Sequence, residues 1–471
     1  MTLRAFGERN RPGEKPNVLS RKDGEVGAED SGRGESVERA GPPRQRGGMP
    51  SSAADGRSAD VSGPRQGYAG ALAVPEFRVL FAAEVLAILA QVAVQVTLSV
   101  LIFQRTGSPL LSALAFALGF LPHLLGASLL SAAADRFPAR RVMVAAQGAV
   151  GAVMAAMALP GTPIPVMLAL LAVSGTIAPV YSGSRSAALA DVLPAEVFPL
   201  GRSLLRMAAQ TAQIAGFSFG GTLLLLVRPS TALLVAAALM AASAALIGLG
   251  TPARPARQAA GAGGRLLGDS LAGVREAFGA PRLRAVLLLI WVPPALAVWP
   301  EALAAPLADG MGGGPLLVAL LLTADPVGTV AGELLAGSLL TAEQRRRWMV
   351  PAALLVFAPF PVFLADPAPA VAVAALAVGA LGFGYTLAVD ALLLEAAPEA
   401  LRGRVFAISS AGMMITQGAG FAAAGAVAEF APPGAAVAAA GVCGAAVVLG
   451  LGLRFLPGRA ARDDFSGRPR S

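Results

Sequence analysis

The chain is short of most things that a water-soluble enzyme is built from. It has one cysteine, Cys443, and one histidine, His123, which excludes a disulfide framework and any zinc site assembled from several Cys and His ligands. Its only lysines, Lys15 and Lys22, lie in no Gly-x-x-x-x-Gly-Lys-Ser/Thr loop, so no nucleotide is cradled that way. Charged residues make up 14% of the 471, against about a quarter in soluble domains. What fills the space is apolar: 55% of the chain is hydrophobic. A membrane helix takes ~20 such residues, so twelve crossings take about 240, close to the apolar share of this chain. The formal charge of +8 is scattered in short clusters between apolar segments, the pattern of a membrane surface and not of a nucleic-acid partner.

Residues 1–74 mix Gly, Pro, Ser, Arg and Glu, as in Arg33-Gly34-Glu35-Ser36, and hold too little apolar surface to offset the entropy of ordering. They read as a disordered cytoplasmic tail, or as an over-extended start with the true one at Met49. The stretch has no apolar core after a basic start, so it is not a signal peptide. From Val79 onward twelve apolar segments of membrane length follow, bounded by Pro, Gly or charge: 79–103, 110–134, 142–159, 164–189, 207–227, 232–250, 286–307, 315–340, 349–365, 370–394, 405–429 and 433–456.

The loops test this division, because cytoplasmic loops carry the excess of arginine and lysine. One set of alternate loops carries Arg136, Arg140 and Arg141, then Arg202 and Arg206, then Arg254 through Arg284, then Arg345 to Arg347, then Arg402 and Arg404; the opposite set carries Arg105 and Arg228. Both termini are therefore expected in the cytoplasm. The longest connection, 251–283, reads as a central cytoplasmic linker between a six-helix half at 75–250 and another at 284–456, with a tail at 457–471. Within it, Gly263 to Phe278 has the spacing of a helix on the membrane surface or of a solvated linker.

A shift of 204 residues superposes the fourth and fifth segments on the tenth and eleventh. Tyr181 then meets Tyr385, Asp191 meets Glu395, Pro194 meets Pro398, and Gln213-Ile214-Ala215-Gly216-Phe217 meets Gln417-Gly418-Ala419-Gly420-Phe421. At a similar shift Arg140-Arg141-Val142-Met143 meets Arg346-Arg347-Trp348-Met349. Duplicated six-helix units in one orientation imply pseudo-symmetric halves about an axis along the membrane normal, an architecture of transporters with a central site near the midplane.

Ser131-Ala132-Ala133-Ala134-Asp135-Arg136-Phe137-Pro138-Ala139-Arg140-Arg141 resembles the Gly-x-Leu-Ala-Asp-Arg-x-Gly-Arg-Arg/Lys-Arg signature of the major facilitator superfamily, without its glycines. Gly337-Ser338-Leu339-Leu340-Thr341 with Arg345 to Arg347 resembles its second copy, and Pro398-Glu399-Ala400-Leu401-Arg402-Gly403-Arg404-Val405 resembles the loop before the eleventh helix. Pro75-Glu76-Phe77-Arg78, Arg105 to Leu111 and Phe120 to Gly126 resemble the branch that includes the enterobactin exporter and bacterial drug-efflux homologues. The resemblance covers residues 75–456. It implies an all-α membrane protein of twelve transmembrane helices in the cell membrane, a multi-pass monomer exporting hydrophobic or siderophore-like small molecules by proton antiport, with no cofactor, no metal and no enzymatic activity. It also implies a latch or gate in which Asp135 accepts hydrogen bonds at a helix N-terminus near Val405, with Arg136, Arg140 and Arg141 beside it; fixing topology is the alternative role of the arginines. Gly216-Phe217-Ser218-Phe219-Gly220-Gly221 resembles the Gly-Pro-x-x-Gly-Gly element of antiporters with phenylalanine for proline, and close helix packing explains it equally. Where the branch has an acid in the first helix, this chain has Gln91, which leaves a nutrient importer or an uncoupled facilitator open. A membrane-embedded enzyme and a non-transporting sensor are the readings from other classes.

Ionisable groups within apolar segments are functional candidates by default. Asp325, followed by Pro326, is the first proton-carrier candidate, then Glu301 after Trp299-Pro300, then His123 and Asp390. A kink-associated or interhelical hydrogen bond is the structural alternative for each. Arg185 is expected to pair with Asp191 or Asp135 as part of the gate, and Glu84 to be solvated at the surface. The amides Gln91, Gln95, Gln210, Gln213 and Gln417 are candidates for the substrate cavity, or else cross-link helices; Phe217 and Tyr181 are candidates for its apolar and aromatic walls, with core packing the alternative for each.

Overall fold

Helix starts are written in this sequence as prolines. The structure, a computed structural model, describes residues 68–122, 137–194, 197–254, 280–397 and 402–452. Within them, helix after helix has proline in its first turn, where the fixed φ suits the helix and the missing N–H costs no bond. After a short α1 (Tyr68–Ala73) come α2 (Pro75–Thr106), α3 (Pro109–Phe120), α4 (Ala139–Met157), α5 (Ile164–Val192), α6 (Phe198–Leu226) and α7 (Pro229–Gly250). The second half begins with α8 (Pro281–Ala297), continued by the short α9 (Trp299–Ala302) and α10 (Ala304–Gly310). Then follow α11 (Pro315–Leu339), α12 (Ala342–Phe357), α13 (Pro369–Ala380), α14 (Thr386–Ala396), α15 (Arg402–Ala428) and α16 (Pro433–Gly452). The tail expected through residue 74 thus gives way to helix at Tyr68; its earlier part lies outside the described residues.

The ends are closed by ordinary capping chemistry. Gly107, at φ 65°, ends α2 and returns its N–H to the Phe103 carbonyl, and Ser108 then caps α3 by accepting from the Leu111 N–H. Thr341 and Gln344 form a reciprocal capping box at the start of α12. At the other end of α2, Arg254 grips Glu76 with both guanidinium nitrogens at 2.5 and 2.7 Å.

Among the described residues, nine helices are long and apolar enough to cross a bilayer. Three expected spans are not among the nine. The second falls largely on residues 123–136, outside the described residues, α4 opens on Arg140 and Arg141, and α6 carries Arg202, Arg206, Gln210 and Gln213. Helices also run past the apolar windows that announced them, α2 from Pro75 to Thr106 and α6 from Phe198, because hydropathy marks only the part in hydrocarbon.

The two halves repeat one packing scheme. In the first, α2 packs on α7 and α6, α4 on α7 and α5, and α3 on α5. In the second, α8 packs on α16 and α15, α12 on α16 and on the 3₁₀ turn Leu381–Tyr385, and α11 on α13. The halves meet through α3 against α15 and α6 against α11, two contacts that exchange under the 204-residue shift. Glycines set the approach. A methyl at Gly216 would meet Val92 of α2 at 2.9 Å, and Gly220 sits against Ala93 and Val96, the small-residue spacing that lets membrane helices touch. In the copy, Gly420 sits against Ala295 of α8. Gly221 faces Ala319 of α11, while Gly425 faces Ala113 and Leu110 of α3. The glycine-rich element of α6 is therefore a packing surface towards both halves.

The tenth segment is interrupted where the fourth carries a proline at the same register. Pro179 lies inside α5, and the Leu381–Tyr385 3₁₀ turn separates α13 from α14. Turns at 107–108, 158–163, 227–228, 311–314, 366–368 and 429–432 lie at one end of the bundle, called the first end; 193–197, 251–254 and 340–341 lie at the second.

Candidate functional site

Glu84, Ala87, Ile88, Gln91, Val92 and Gln95 fall on one stripe of α2, at the three- and four-residue steps of a helix face, and that stripe lines a chamber of about 290 Å³. Tyr181 and Ser182 of α5, Gln147 of α4 and Gln213 of α6 complete its polar lining. Phe120, Met240 and Met414 supply apolar walls, Met414 reaching in from α15 of the other half. The Gln95 side-chain nitrogen lies where a methyl on Gly119 would stand, 2.8 Å from it, so the glycine makes room for the amide.

Glu84 is buried, not solvated at the surface as its place near one end of an apolar run implied. The partner is Arg185, whose guanidinium forms an ion pair with the Glu84 carboxylate and lies 5.8 Å from the centre of the Tyr181 ring. This is the pair the structure gives Arg185; of the two partners expected for it, Asp135 lies outside the described residues and Asp191 is exposed at the end of α5. The other carboxylate oxygen of Glu84 and the Ser184 hydroxyl are buried without hydrogen-bond partners, and the buried Tyr181 hydroxyl reaches only Glu84 and Gln147, with no bond of good geometry to either. Next to them Gln147 donates to Ser243 at 3.1 Å, and Ser243 donates to the Ala83 carbonyl at 2.8 Å, tying α4, α7 and α2 together behind the chamber.

Glu84 and Arg185 also border a second cavity of about 570 Å³ nearer the second end, lined by Arg202, Arg206, Ser186 and Ser203. Arg202 lies over the Phe198 ring at 5.9 Å. Arg206 is within electrostatic reach of Glu333 and Asp390 of the other half, and Glu333 accepts from the Thr386 hydroxyl at 3.4 Å. Asp390 is exposed at this end.

Two further carboxyls converge elsewhere. Glu301, in α9, and Asp325, before Pro326 in α11, border one cavity of about 10 Å³ together with Val356 and Phe360. That space holds at most a single water, so the acids have room for a proton and none for an organic ligand. At the first end Glu429, beyond α15, accepts the Leu110 N–H at 3.1 Å and the Ser108 hydroxyl. One half thereby caps the opening turn of a helix in the other.

Of the expected cavity residues the fold brings together Gln91, Gln95, Gln213 and Tyr181; Gln210 and Gln417 line neither cavity. Phe217 is a correction. It is 1% exposed and belongs to the apolar cluster with Val92 and Val96, on the side of α6 that the glycines press against α2. His123 and Arg136 lie outside the described residues. Arg140 donates to the Gly248 carbonyl at the end of α7 in its own half, and Arg141 is exposed. Glu84, Gln147 and Glu429 are additions. For Glu84 the signal was its spacing of seven and eleven from Gln91 and Gln95, which places all three on one helix face.

Residues 80–299 match the family model of the Major Facilitator Superfamily. No curated protein matches the chain in sequence. Among solved structures, the nucleoside transporter NupG is 15% identical, covers 81% of this chain and 98% of its own, and superposes with a TM-score of 0.61. A peptide transporter, POT, in complex with sulfate is 16% identical over 85% of this chain and 96% of its own, at 0.63. A POT family transporter in complex with 5-aminolevulinic acid is 10% identical over 83% and 98%, at 0.64. At these identities the likeness is one of fold.

Proposed function

We infer that the chain is a secondary active transporter of the major facilitator kind, moving a small molecule across the cell membrane by alternating access. The observation that carries this is the exchange symmetry of the halves: α3 against α15 and α6 against α11 form the joint, and a polar chamber opens beside it with a wall from each half. Twelve helices, with both termini and the second end in the cytoplasm, follow from the arginine-rich loops. One chain holds both halves, so a monomer suffices.

Substrate and proton occupy different places in this reading. The chamber along α2, α5 and α6 takes the molecule, through Gln91, Gln95, Gln213 and Tyr181. Asp325 and Glu301 carry the proton, in a space that admits nothing larger. Asp390, with Arg206 and Glu333, forms the charged gate at the second end, and Arg185 works from its pair with Glu84. Arg140, Arg141 and Asp191 stand at that same end, and with Asp135 and Arg136, which lie outside the described residues, they make up the latch that the motif implies. His123 remains a proton candidate on sequence grounds. Export by proton antiport is the direction supported by resemblance to the efflux branch. An importer or an uncoupled facilitator is the second reading, favoured by Gln91 standing where that branch has an acid.

The test is collapse of an imposed pH gradient in everted vesicles, with a panel of amphipathic compounds added to wild type and to Asp325→Asn. Proton-coupled export predicts a compound that collapses the gradient in wild type and not in the variant. Gradient-independent flux in both supports the facilitator, and no flux of any compound under any ion gradient overturns the transport reading.

A further inference from the structure

We propose, resting on the transport reading above, that the chamber along α2 takes an uncharged small molecule, and that a hydrogen-bond donor on that molecule binds the free carboxylate oxygen of Glu84 beside the Tyr181 hydroxyl. Charge is the first ground. Among the described residues Glu84 is the one with a formal charge that borders the chamber, and its charge is already met by Arg185. A permanently charged ligand would enter a membrane-embedded space lined by neutral groups, with no uncompensated opposite charge to receive it. The arginines that would receive an anion, Arg202 and Arg206, line the neighbouring cavity instead.

The second ground is an unfilled acceptor. One oxygen of Glu84 is buried without a partner of good geometry in this structure, and the Tyr181 hydroxyl beside it has only Glu84 and Gln147 within side-chain reach, although buried polar groups are as a rule hydrogen-bonded. An ionised carboxylate oxygen only accepts, so its missing partner is a donor; the phenol both donates and accepts. Further up the stripe Gln91, Gln95 and Gln213 each offer a carbonyl and an amide. This is a lining for neutral groups such as amides, polyols and nucleobases.

Size and walls narrow the class further. About 290 Å³ is at the small end of ligand pockets, the volume of a single-ring to nucleoside-sized compound and too small for a large chelator. Phe120, Met240 and Met414 offer one aromatic and two adaptable apolar surfaces. Met414 belongs to the second half, so a ligand touching it is held by both halves at once, which links occupancy to their relative arrangement.

The full chain in detergent would be screened by thermal shift against three sets of matched mass: neutral amides, polyols and nucleobases; carboxylates and phosphates; and quaternary ammonium compounds. Stabilisation by members of the neutral set is expected, at least ten-fold weaker in apparent affinity in Tyr181→Phe and in Gln213→Leu, and lost for analogues whose N–H groups are methylated. The double variant Glu84→Gln/Arg185→Gln keeps the chamber neutral while removing the acceptor charge, and should also weaken binding. Stabilisation only by a charged set overturns the proposal, as does a neutral ligand indifferent to all three variants, or no shift from any set. A charged compound that is transported in the vesicle assay would remove this proposal and leave the transport reading standing.

Discussion

Gly221 and Gly425, 204 residues apart in the chain, each present a bare α-carbon to the opposite half, the first to Ala319 and the second to Ala113. The joint between the halves is built twice from the same residue type at the same register.

Filling either position should therefore damage the joint. A β-carbon at Gly425 would stand 2.8 Å from the Leu110 α-carbon and 3.1 Å from the Pro109 carbonyl oxygen, backbone atoms that cannot swing aside. Gly425→Val is expected to destabilise by about 1–3 kcal/mol, the usual range for overpacking, read as a lowered thermal midpoint. Gly183→Ala, with nothing within 4 Å, should leave the midpoint unchanged or slightly raised.

The Glu84 and Arg185 charges stand or fall together. Removing one partner of a buried ion pair costs about 3–5 kcal/mol, because the other charge is left uncompensated. Glu84→Gln and Arg185→Gln should each lower the midpoint markedly, and Glu84→Gln/Arg185→Gln should recover most of the loss. A double variant as unstable as the sum of the singles would contradict the pairing.

Glu429 fastens the first end by capping α3 from the other half. A charge-assisted bond of this kind is worth about 1–2 kcal/mol, so Glu429→Ala should shift the open-to-closed balance there roughly five- to thirty-fold. The readout is maleimide labelling of Leu121→Cys, a residue packed against Gly418 across the joint, in a Cys443→Ser background. Labelling unchanged by Glu429→Ala would show that the cap does not hold the joint.

Asp325 and Glu301 separate two activities. With the proton site confined to a space for one water, Asp325→Asn and Glu301→Gln should cut gradient-driven flux at least ten-fold while substrate exchange across equal pH persists. Loss of both activities together would place these acids in the substrate path.

Much of this was legible in the sequence for a simple reason: in a membrane the solvent writes the helices, and runs of apolar residues with arginine between them mark spans and sides. The repeat was legible because Tyr181 and Tyr385, or Gly216 and Gly420, keep identity over an unbroken shift. What hydropathy does not carry is which way a helix faces, since a helix surrounded by lipid and other helices is apolar all round. Residue type leaves Phe217 open to cavity wall or core, and the fold puts it in the core. Glu84 was assigned to the surface on position, because its partner Arg185 lies on another helix and nothing local announces the pair. Glu301 and Asp325 were found separately, and only the fold brings them to one cavity.

Pro179, inside the continuous helix α5, and the 3₁₀ turn Leu381–Tyr385 occupy equivalent places and differ in chemistry. At Pro179 no N–H exists to close the helical bond, so α5 lacks one ladder bond there in every state. The 381–385 turn contains no proline and two glycines, Gly382 and Gly384; every donor is present, and the segment is free to rewind into α-helix. The equivalent places of the two halves are thus unequal: one has a hydrogen bond that it can never make, and the other has every donor with which to make one.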